Sequence, residues 1–374
     1  MTTELPASPA TRALDAIDAA AAIWLRPDAL LTGAAARAAI ADGVGRPLAG
    51  SATAFSRLEV IARQGDSIVT ALASVRRVQY WASRLDPPHR ARIEAQLARA
   101  SEQRCHWAGL ALDRPRIMGI VNVTPNSFAG GEPDPEAAIA LGRAMIEAGA
   151  DIVDIGAEST RPGAAPVSEE EELRRLEPVV RGLAAAGAVL SVDTRHARAM
   201  AAALAWGGRA INDVSALEGE GSLDVVARSG APVVLMHMRG EPATMQQDPR
   251  YVLASVDVAE YLAARIASCE AAGIPRHRIV IDPGIGFGKT VAHNLEILAR
   301  LTLFQTLGCG VLVGLSRKST IGRVSGGVPV EQRLPGSLAG ALQAVRQGVQ
   351  ILRVHDVAET KQAIAVWQAI AEGA

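Results

Sequence analysis

Eight short apolar segments, each ending in polar or glycine residues, constrain the fold of this chain more than any other feature. In order they read IMGIVN, DIVDIG, AVLSVD, RAIND, PVVLMHM, RIVIDPG, GVLVGLS and QILRVHD. Runs this short and this continuously apolar are typical of parallel strands buried on both faces, and the longer stretches between them have helical spacing. Eight repeats of strand and helix predict an α/β fold, a closed (β/α)8 TIM barrel.

The main alternative is a doubly wound open sheet. That fold would place a glycine-rich GxGxxG turn after the first strand, and the sequence has none there. Helix signals also follow the predicted strands: Asp134 and Pro135 predict a helix start that Gly149 ends, and Ser168 with Glu171 has capping-box spacing.

Residues 1–103 lack the repeat and predict a small α+β extension of unknown role. FSRLEVIAR alternates as a strand does, QGD predicts a turn, and SIVTALASVRRVQYWASRL fits either a strand or a helix. Asp86 and Pro87 predict the start of a helix that runs through Ser101. We place the barrel at 104–374, with a hairpin in CHWAGLALDRPRIMGI leading into its first strand.

Composition excludes several classes of protein. The 38 Lys+Arg residues are balanced by 39 Asp+Glu residues, whereas a nucleic-acid-binding protein needs excess positive charge to displace counterions. The three cysteines lack CxxC spacing, so neither a zinc site nor a disulfide framework is predicted. No apolar run reaches the length of a membrane helix, and the N-terminus does not resemble a signal peptide. We therefore expect a cytoplasmic protein without nucleic-acid or membrane partners.

Polar side chains gather at the ends of the predicted strands, and a barrel would bring them to one mouth. Taken singly, each could cap the following helix. As a set they are asymmetric: acids and amides end the early strands, and cationic side chains end the late ones. Carboxylates suit a flat heterocycle rich in N–H donors, whereas arginine, lysine and histidine suit phosphate or carboxylate groups. The residues are Asn122, Asp154, Glu158, Asp193, Asn212, Asp213, His237, Asp282, Ser316, Arg317, Lys318, Arg353, His355 and Asp356.

The segments around these residues resemble the dihydropteroate synthase family. The resemblance runs from about residue 104 to the C-terminus and rests on GIVNVTPNSF, GADIVDIGAESTRPGA, SVDT, INDVSA, MHMRGEPATMQ, IVIDPGIGFGK, GLSRKS and RVHDV. It implies a folate-pathway transferase, a target of sulfonamides, that joins a dihydropterin pyrophosphate to p-aminobenzoate with Mg²⁺ and releases pyrophosphate. It also implies a homodimer.

The resemblance assigns roles to individual positions. It places the pterin ring against Asp154, Asp193, Asn212, Met238, Asp282, Phe287 and Lys318. It places pyrophosphate against Asn122, Arg353 and His355, with the metal ion shared between pyrophosphate and Asn122. It places p-aminobenzoate against Thr160, Arg161, Ser316 and Lys318. Among these residues it implies catalytic roles for Asn122, Arg161, Lys318, Arg353 and His355.

Lys289, His237 and the loop after the first strand do not simply follow these assigned roles. We expect Lys289 at the surface and His237 as a packed, hydrogen-bonded group rather than a base. The first loop departs from the family pattern TPDSFSDGG: Asn126 replaces a carboxylate, and Ala129 stands where a Ser-Asp pair is usual, so Arg161 loses an expected partner. Two alternatives stay open: a non-catalytic or altered-specificity pterin-binding paralogue, and a methyltetrahydrofolate:corrinoid methyltransferase, which has no use for the cationic strand ends.

Overall fold

The computed structural model describes residues 9–124, 134–158, 167–241 and 244–373. The N-terminal part forms a mixed sheet in the order β1-β5-β4-β2, with β3 paired to β4. Helices share a buried apolar core with this sheet, as the predicted α+β extension requires. Its strands are β1 (Ala10–Thr11), β2 (Ala22–Leu31), β3 (Arg46–Pro47), β4 (Ala54–Gln64) and β5 (Ser67–Ser74), and its helices are α1 (Gly33–Ala41), α2 (Val75–Ser83) and α3 (Pro87–Ser101).

The segment that fitted either strand or helix contains both. Strands β4 and β5 pair antiparallel around a turn in which Gly65 has φ +58°, a left-handed conformation that glycine adopts without strain. At the end of β5 the hydroxyl of Ser74 accepts a hydrogen bond from the Arg77 backbone N–H, which caps α2. The predicted helix after Asp86 is confirmed as α3.

A short hairpin precedes the barrel and lies at the amino end of the barrel strands. Its strands are β6 (His106–Trp107) and β7 (Leu110–Ala111). Trp107 is buried and its indole N–H donates to the carbonyl of Arg278 at 3.1 Å. Trp107 belongs to a buried apolar cluster that includes one residue from each of the eight barrel strands, namely Met118, Ile152, Val189, Ala210, Val234, Val280, Leu312 and Ile351. The predicted hairpin therefore plugs the amino end of the strands.

The remaining strands form a closed, parallel eight-stranded barrel, which confirms the predicted fold. Strand β15 pairs with β8 through Arg353 and Met118, so the last strand closes on the first. The strands are β8 (Arg116–Asn122), β9 (Ile152–Gly156), β10 (Val189–Asp193), β11 (Ala210–Asp213), β12 (Val233–Met236), β13 (Ile279–Asp282), β14 (Gly310–Val313) and β15 (Ile351–Val354).

Helices surround this barrel and begin where their capping residues predict. Asp134 accepts from the backbone N–H groups of Glu136 and Ala137, and Gly149, with φ +103°, ends the same helix. Ser168 caps the next helix. The barrel helices are α4 (Pro135–Ala148), α5 (Glu169–Leu183), α6 (Ala197–Ala205), α7 (Ser222–Ser229), α8 (Ala254–Ala271), α9 (Val291–Ala299), α10 (Ser319–Val324), α11 (Leu334–Arg346) and α12 (Val357–Gly373). No helix in these described ranges is both long and apolar enough to cross a bilayer.

The N-terminal unit packs on the outside of the barrel. Arg104, buried between the two parts, donates to the carbonyls of Gln305 and Cys309 at 2.8 and 2.9 Å. Nearby, the hydroxyl of Thr302 donates to the Pro27 carbonyl at 2.7 Å. Both contacts involve the segment leading into β14, at the barrel end opposite the strand tips.

Candidate active site

The acidic and amide residues at the ends of the early barrel strands lie together. Asp154 on β9 and Asp193 on β10 stand on paired, neighbouring strands. Asp193 is in turn the register partner of Asn212 on β11. The side-chain amide of Asn212 donates to Asp154 Oδ2 at 3.0 Å. Asp282, at the end of β13, is also buried and accepts from the Gly284 backbone N–H at 2.8 Å. Closure of the barrel thus concentrates carboxylates in one pocket.

Arg353 reaches this cluster from β15, which is separated from β9 by β8 alone. Its Nε donates to Asp154 Oδ2 at 2.7 Å, and its terminal nitrogen donates to Asp193 Oδ2 at 2.9 Å. The sequence pattern indicated separate acidic and cationic regions, but the guanidinium bridges two of the acids. One fixed, planar cation therefore sets the spacing of two carboxylates.

Two buried oxygens in the same part of the barrel have no hydrogen-bond partner within the described ranges. They are Oδ1 of Asp154 and the hydroxyl oxygen of Ser191, two residues that are register partners on β9 and β10. Buried polar atoms are normally paired, and an unpaired acceptor costs free energy. These atoms fit a pocket that is completed by a ligand carrying N–H donors.

A second group of polar side chains borders the pocket on the late strands. Lys318 donates to the Ile285 carbonyl, and its ammonium lies 4.7 Å above the centre of the Phe287 ring. The hydroxyl of Ser316 lies 3.0 Å from His355 Nδ1 and accepts from the His355 backbone N–H at 3.2 Å. These contacts hold an amine, a hydroxyl and an imidazole beside the carboxylates.

Burial shifts the proton affinities of these groups. It raises the pKa of Asp193 to about 7, against the opposing effect of Arg353 and reinforced by the nearby charge of Asp154. Burial also raises the pKa of Asp282, although the charge of Lys318 opposes the shift. In the other direction, burial lowers the pKa of Lys318 to about 8 despite its attraction to Asp282. Desolvation therefore destabilises the charged forms of these side chains, and a ligand with complementary charges and hydrogen bonds can offset that free energy.

Comparison with known proteins is consistent with this geometry. The sequence pattern of the family described as pterin binding enzyme matches residues 118–355, which span the strand tips from β8 to β15. The chain belongs to the pterin-binding enzyme family. It is 47% identical to the dihydropteroate synthase of Neisseria meningitidis serogroup B over 269 residues, covering 70% of this chain and 94% of that relative.

Solved structures of pterin-binding enzymes match the same part of the chain. The dihydropteroate synthase of Xanthomonas albilineans with 4-aminobenzoic acid is 51% identical, with a TM-score of 0.67, covering 70% of this chain and 94% of that one. The same enzyme in complex with 7,8-dihydropteroate is 48% identical, with a TM-score of 0.64, over 70% and 95% of the two chains. The family pattern begins at 118, so the N-terminal unit lies outside it.

Within this family frame, the positions assigned from sequence fall into three groups. Asp154, Asp193, Asn212 and Arg353 are in direct contact, while Asp282, Phe287, Lys318, Ser316 and His355 form the adjoining wall. Asn122 is half-buried at the end of β8, and Met238 is half-buried just after β12. Thr160, Arg161, Asn126 and Ala129 lie outside the described residues.

Several other strand-end groups have structural partners instead. Glu158 pairs with Arg195 at 3.0 Å, and Arg317 pairs with Asp356. Both carboxylate oxygens of Asp213 accept hydrogen bonds within its own loop, from Ser215 and from the Leu217 backbone. Ion pairs therefore account for Glu158, Arg317 and Asp356, and loop formation accounts for Asp213.

The prediction of a surface position for Lys289 is wrong. Its side chain is buried, and its amine lies 2.8 Å from His237 Nδ1 and 2.9 Å from the carbonyls of both Gly284 and Phe287. These acceptors compensate the loss of water. His237 is a packed, hydrogen-bonded group as expected, and burial lowers its pKa to about 2, with a further contribution from Lys289. The glycine spacing around residue 286 indicated a tight loop, but nothing in that spacing signals that the lysine is buried.

Proposed function

We propose that this chain condenses 7,8-dihydropterin-6-ylmethyl diphosphate with p-aminobenzoate, giving 7,8-dihydropteroate and pyrophosphate. The observation that carries the proposal is the cluster of Asp154, Asp193 and Asn212 held together by Arg353. The relatives named dihydropteroate synthase, with structures holding 4-aminobenzoic acid or dihydropteroate, support the same reaction.

The pocket suits the amino-pyrimidine edge of a pterin. A carboxylate accepts two parallel N–H bonds from such an edge, and Asp282 is a buried carboxylate at a strand end. Oδ1 of Asp154 is a second acceptor without a partner among the described residues. Phe287 supplies an apolar face beside Lys318. Ring recognition therefore relies on acceptors that lie too deep for water to replace freely.

The late strands suit the two other parts of the reaction. Arg353 and His355, with the Asn122 amide across the barrel seam, are proposed to bind pyrophosphate, because cations and amide donors stabilise phosphate oxygens. Ser316 and Lys318 are proposed to border the p-aminobenzoate site. Thr160 and Arg161 are assigned there by family resemblance.

The chemistry needs charge stabilisation more than a strong base. The bond between the pterin methylene carbon and the pyrophosphate oxygen breaks, and the oxygen keeps the electron pair. The electron-rich ring stabilises the resulting cation, the arylamine nitrogen attacks the carbon, and the nitrogen then loses its proton. Arg353 and His355 stabilise the departing anion, and exclusion of water prevents capture of the cation.

Magnesium is part of this proposal. No cluster of three or more His, Cys, Asp or Glu side chains suited to a metal occurs in the described part of the chain. Mg²⁺ commonly binds through one or two protein ligands together with substrate phosphates and water, so the Asn122 side-chain oxygen fits a site that pyrophosphate completes. The ion would neutralise charge on the leaving group.

The decisive experiment measures pyrophosphate release from the dihydropterin pyrophosphate by purified protein with Mg²⁺, with and without p-aminobenzoate. Release that depends on p-aminobenzoate, with dihydropteroate as product, supports the synthase. Pterin binding without coupled release supports the paralogue, which the altered first loop around Asn126 and Ala129 favours.

We also propose a cytoplasmic homodimer. Cys105, Cys269 and Cys309 are unpaired thiols, which is typical of a reducing compartment. Two apolar side chains of α12, Val366 and Ile370, are 55% and 68% exposed and offer a surface that a second copy would cover. Analytical ultracentrifugation tests the pairing, and a monomer at micromolar concentration would contradict it.

A further inference from the structure

We propose that the N-terminal unit positions the pterin-binding loops of the barrel, and that Arg63 is the positioning residue. This inference rests on the proposed function, because its effect is read at the pterin site. It assigns a role to the part of the chain that lies outside the family match.

Arg63 crosses from the N-terminal sheet to the beginning of α8. One terminal nitrogen of its guanidinium donates to Asp257 and, at 2.8 Å, to Glu260. Its Nε donates to the Gly65 carbonyl at 3.1 Å, which fixes the side chain on the β4–β5 turn. The Trp24 indole N–H adds a longer contact of 3.4 Å to Glu260. A folded element thus neutralises two acids at the start of a barrel helix.

Asp257 links this contact to residues 244–253, which we call the α8 lead-in. One carboxylate oxygen binds Arg63, and the other accepts from the Val252 backbone N–H at 2.8 Å. Immediately before it, the Tyr251 hydroxyl donates to the Gly288 carbonyl at 2.7 Å. Loss of Arg63 therefore leaves an unbalanced carboxylate at the point that holds the lead-in.

The lead-in also contacts the loop that carries Phe287. Gln246 donates from its side-chain amide to the Gly286 carbonyl at 2.6 Å. A Cβ atom at Gly288 would lie 2.3 Å from the Arg239 carbonyl oxygen, and one at Gly284 would lie 1.9 Å from that of His237. Close-packed interiors transmit small displacements. The backbone at Gly284 and Gly288 is packed so tightly that a shift of the lead-in would move this loop as well.

Phe287 and Ile285 then connect this loop to the reacting centre. Phe287 lies under the Lys318 ammonium, and the Ile285 carbonyl accepts from the same ammonium. The path therefore runs from Arg63 through Asp257 and the lead-in to the pterin wall. Each step along this path is a hydrogen bond or a packing contact.

A matched control separates positioning from general attachment. Thr302 also joins the N-terminal unit to the barrel, through the Pro27 carbonyl, but at the end opposite the strand tips. If the N-terminal unit only adds stability, Arg63→Met and Thr302→Val will both lower Tm and neither will alter substrate binding selectively. If Arg63 positions the pterin wall, only replacement of Arg63 will weaken binding of the pterin substrate.

The experiment uses the full chain and steady-state kinetics with both substrates varied. We expect Arg63→Met to raise the KM for the dihydropterin pyrophosphate about five- to tenfold, with kcat and the KM for p-aminobenzoate within about twofold of the unchanged protein. Arg63→Lys should recover part of the loss, because it restores one cation. Thr302→Val should keep both KM values.

Unchanged KM values in Arg63→Met, or the same kinetic profile in Arg63→Met and Thr302→Val, would overturn the inference. Calorimetric Kd values for the dihydropterin pyrophosphate keep the test independent of turnover. If the unchanged chain binds this compound but forms no dihydropteroate, the proposed function fails, and the Kd ratio between Arg63→Met and the unchanged chain still decides the positioning role.

Discussion

Replacement of Asp282 by Asn should separate ligand recognition from stability. The side chain is buried, its shape is conserved in Asn, and burial raises the pKa of the carboxyl group, so the ionised form carries a desolvation cost in the folded protein. Asn removes that cost together with the charge that interacts with Lys318. We therefore expect Tm to be unchanged or higher in Asp282→Asn.

Activity should fall in the same variant. The amide presents one N–H2 group where a donor-rich pterin edge needs an acceptor, and hydrogen bonds to a charged group contribute about 1.5–3 kcal/mol each. A loss of about 3 kcal/mol in transition-state binding corresponds to a decrease in kcat/KM of roughly a hundredfold. Steady-state kinetics at saturating p-aminobenzoate and varied pterin substrate measure this quantity.

Asp213 supplies the matched control. It is another buried aspartate at a strand end, and burial raises its pKa, but its oxygens accept from Ser215 and Leu217 within its own loop. Asp213→Asn should lower Tm without a selective loss of pterin affinity. If Asp282→Asn retains kcat/KM within about threefold, or loses activity only in parallel with Tm as the control does, the assignment of Asp282 to the pterin edge is refuted.

Three further predictions concern the same pocket. The kcat/KM for the pterin substrate should rise toward pH 7 as Asp193 ionises and fall above about pH 8 as Lys318 loses its proton. In Asp193→Asn, the increase in kcat/KM on the low-pH side of the profile should be absent. Arg353→Lys should raise the KM for the pterin pyrophosphate at least ~tenfold in a titration of initial rates, because lysine cannot bridge Asp154 and Asp193 with a planar fork; a wild-type KM would contradict this. Chelation with EDTA should abolish pyrophosphate release, and added Mg²⁺ should restore it, while pterin affinity measured by fluorescence changes little; undiminished release after chelation would refute the metal role.

The barrel itself was predictable from the sequence because its signals are local. Short apolar runs, capping residues such as Asp134 and helix-ending glycines such as Gly149 act within a few residues, and each is found in the structure. The same holds for α3 after Asp86. The segment after Gln64 was ambiguous because a strand and a helix adjoin at Ser74, and the cap at that residue decides where one ends.

The convergence of polar strand ends on one mouth was also predictable, since parallel barrel strands all end on the same side. The pairing inside the site was not. Arg353 and Asp154 are 199 residues apart in sequence, and only closure of β15 on β8 brings the guanidinium to the carboxylates of β9 and β10. The sequence indicated cationic strand ends suited to phosphate or carboxylate groups, whereas in the structure the guanidinium of Arg353 pairs with two of the acids.

Periodicity and capping depend on neighbouring residues, so local sequence specifies which segments become strands and helices and which polar residues stand at the strand ends. The tertiary structure decided the burial of Lys289, which is stable only where carbonyls from a folded loop converge on its amine. It also decided the contact between Arg63 and Asp257, 194 residues apart, by docking the N-terminal sheet against α8. Such contacts depend on distances between whole elements, and no local pattern in the chain encodes those distances.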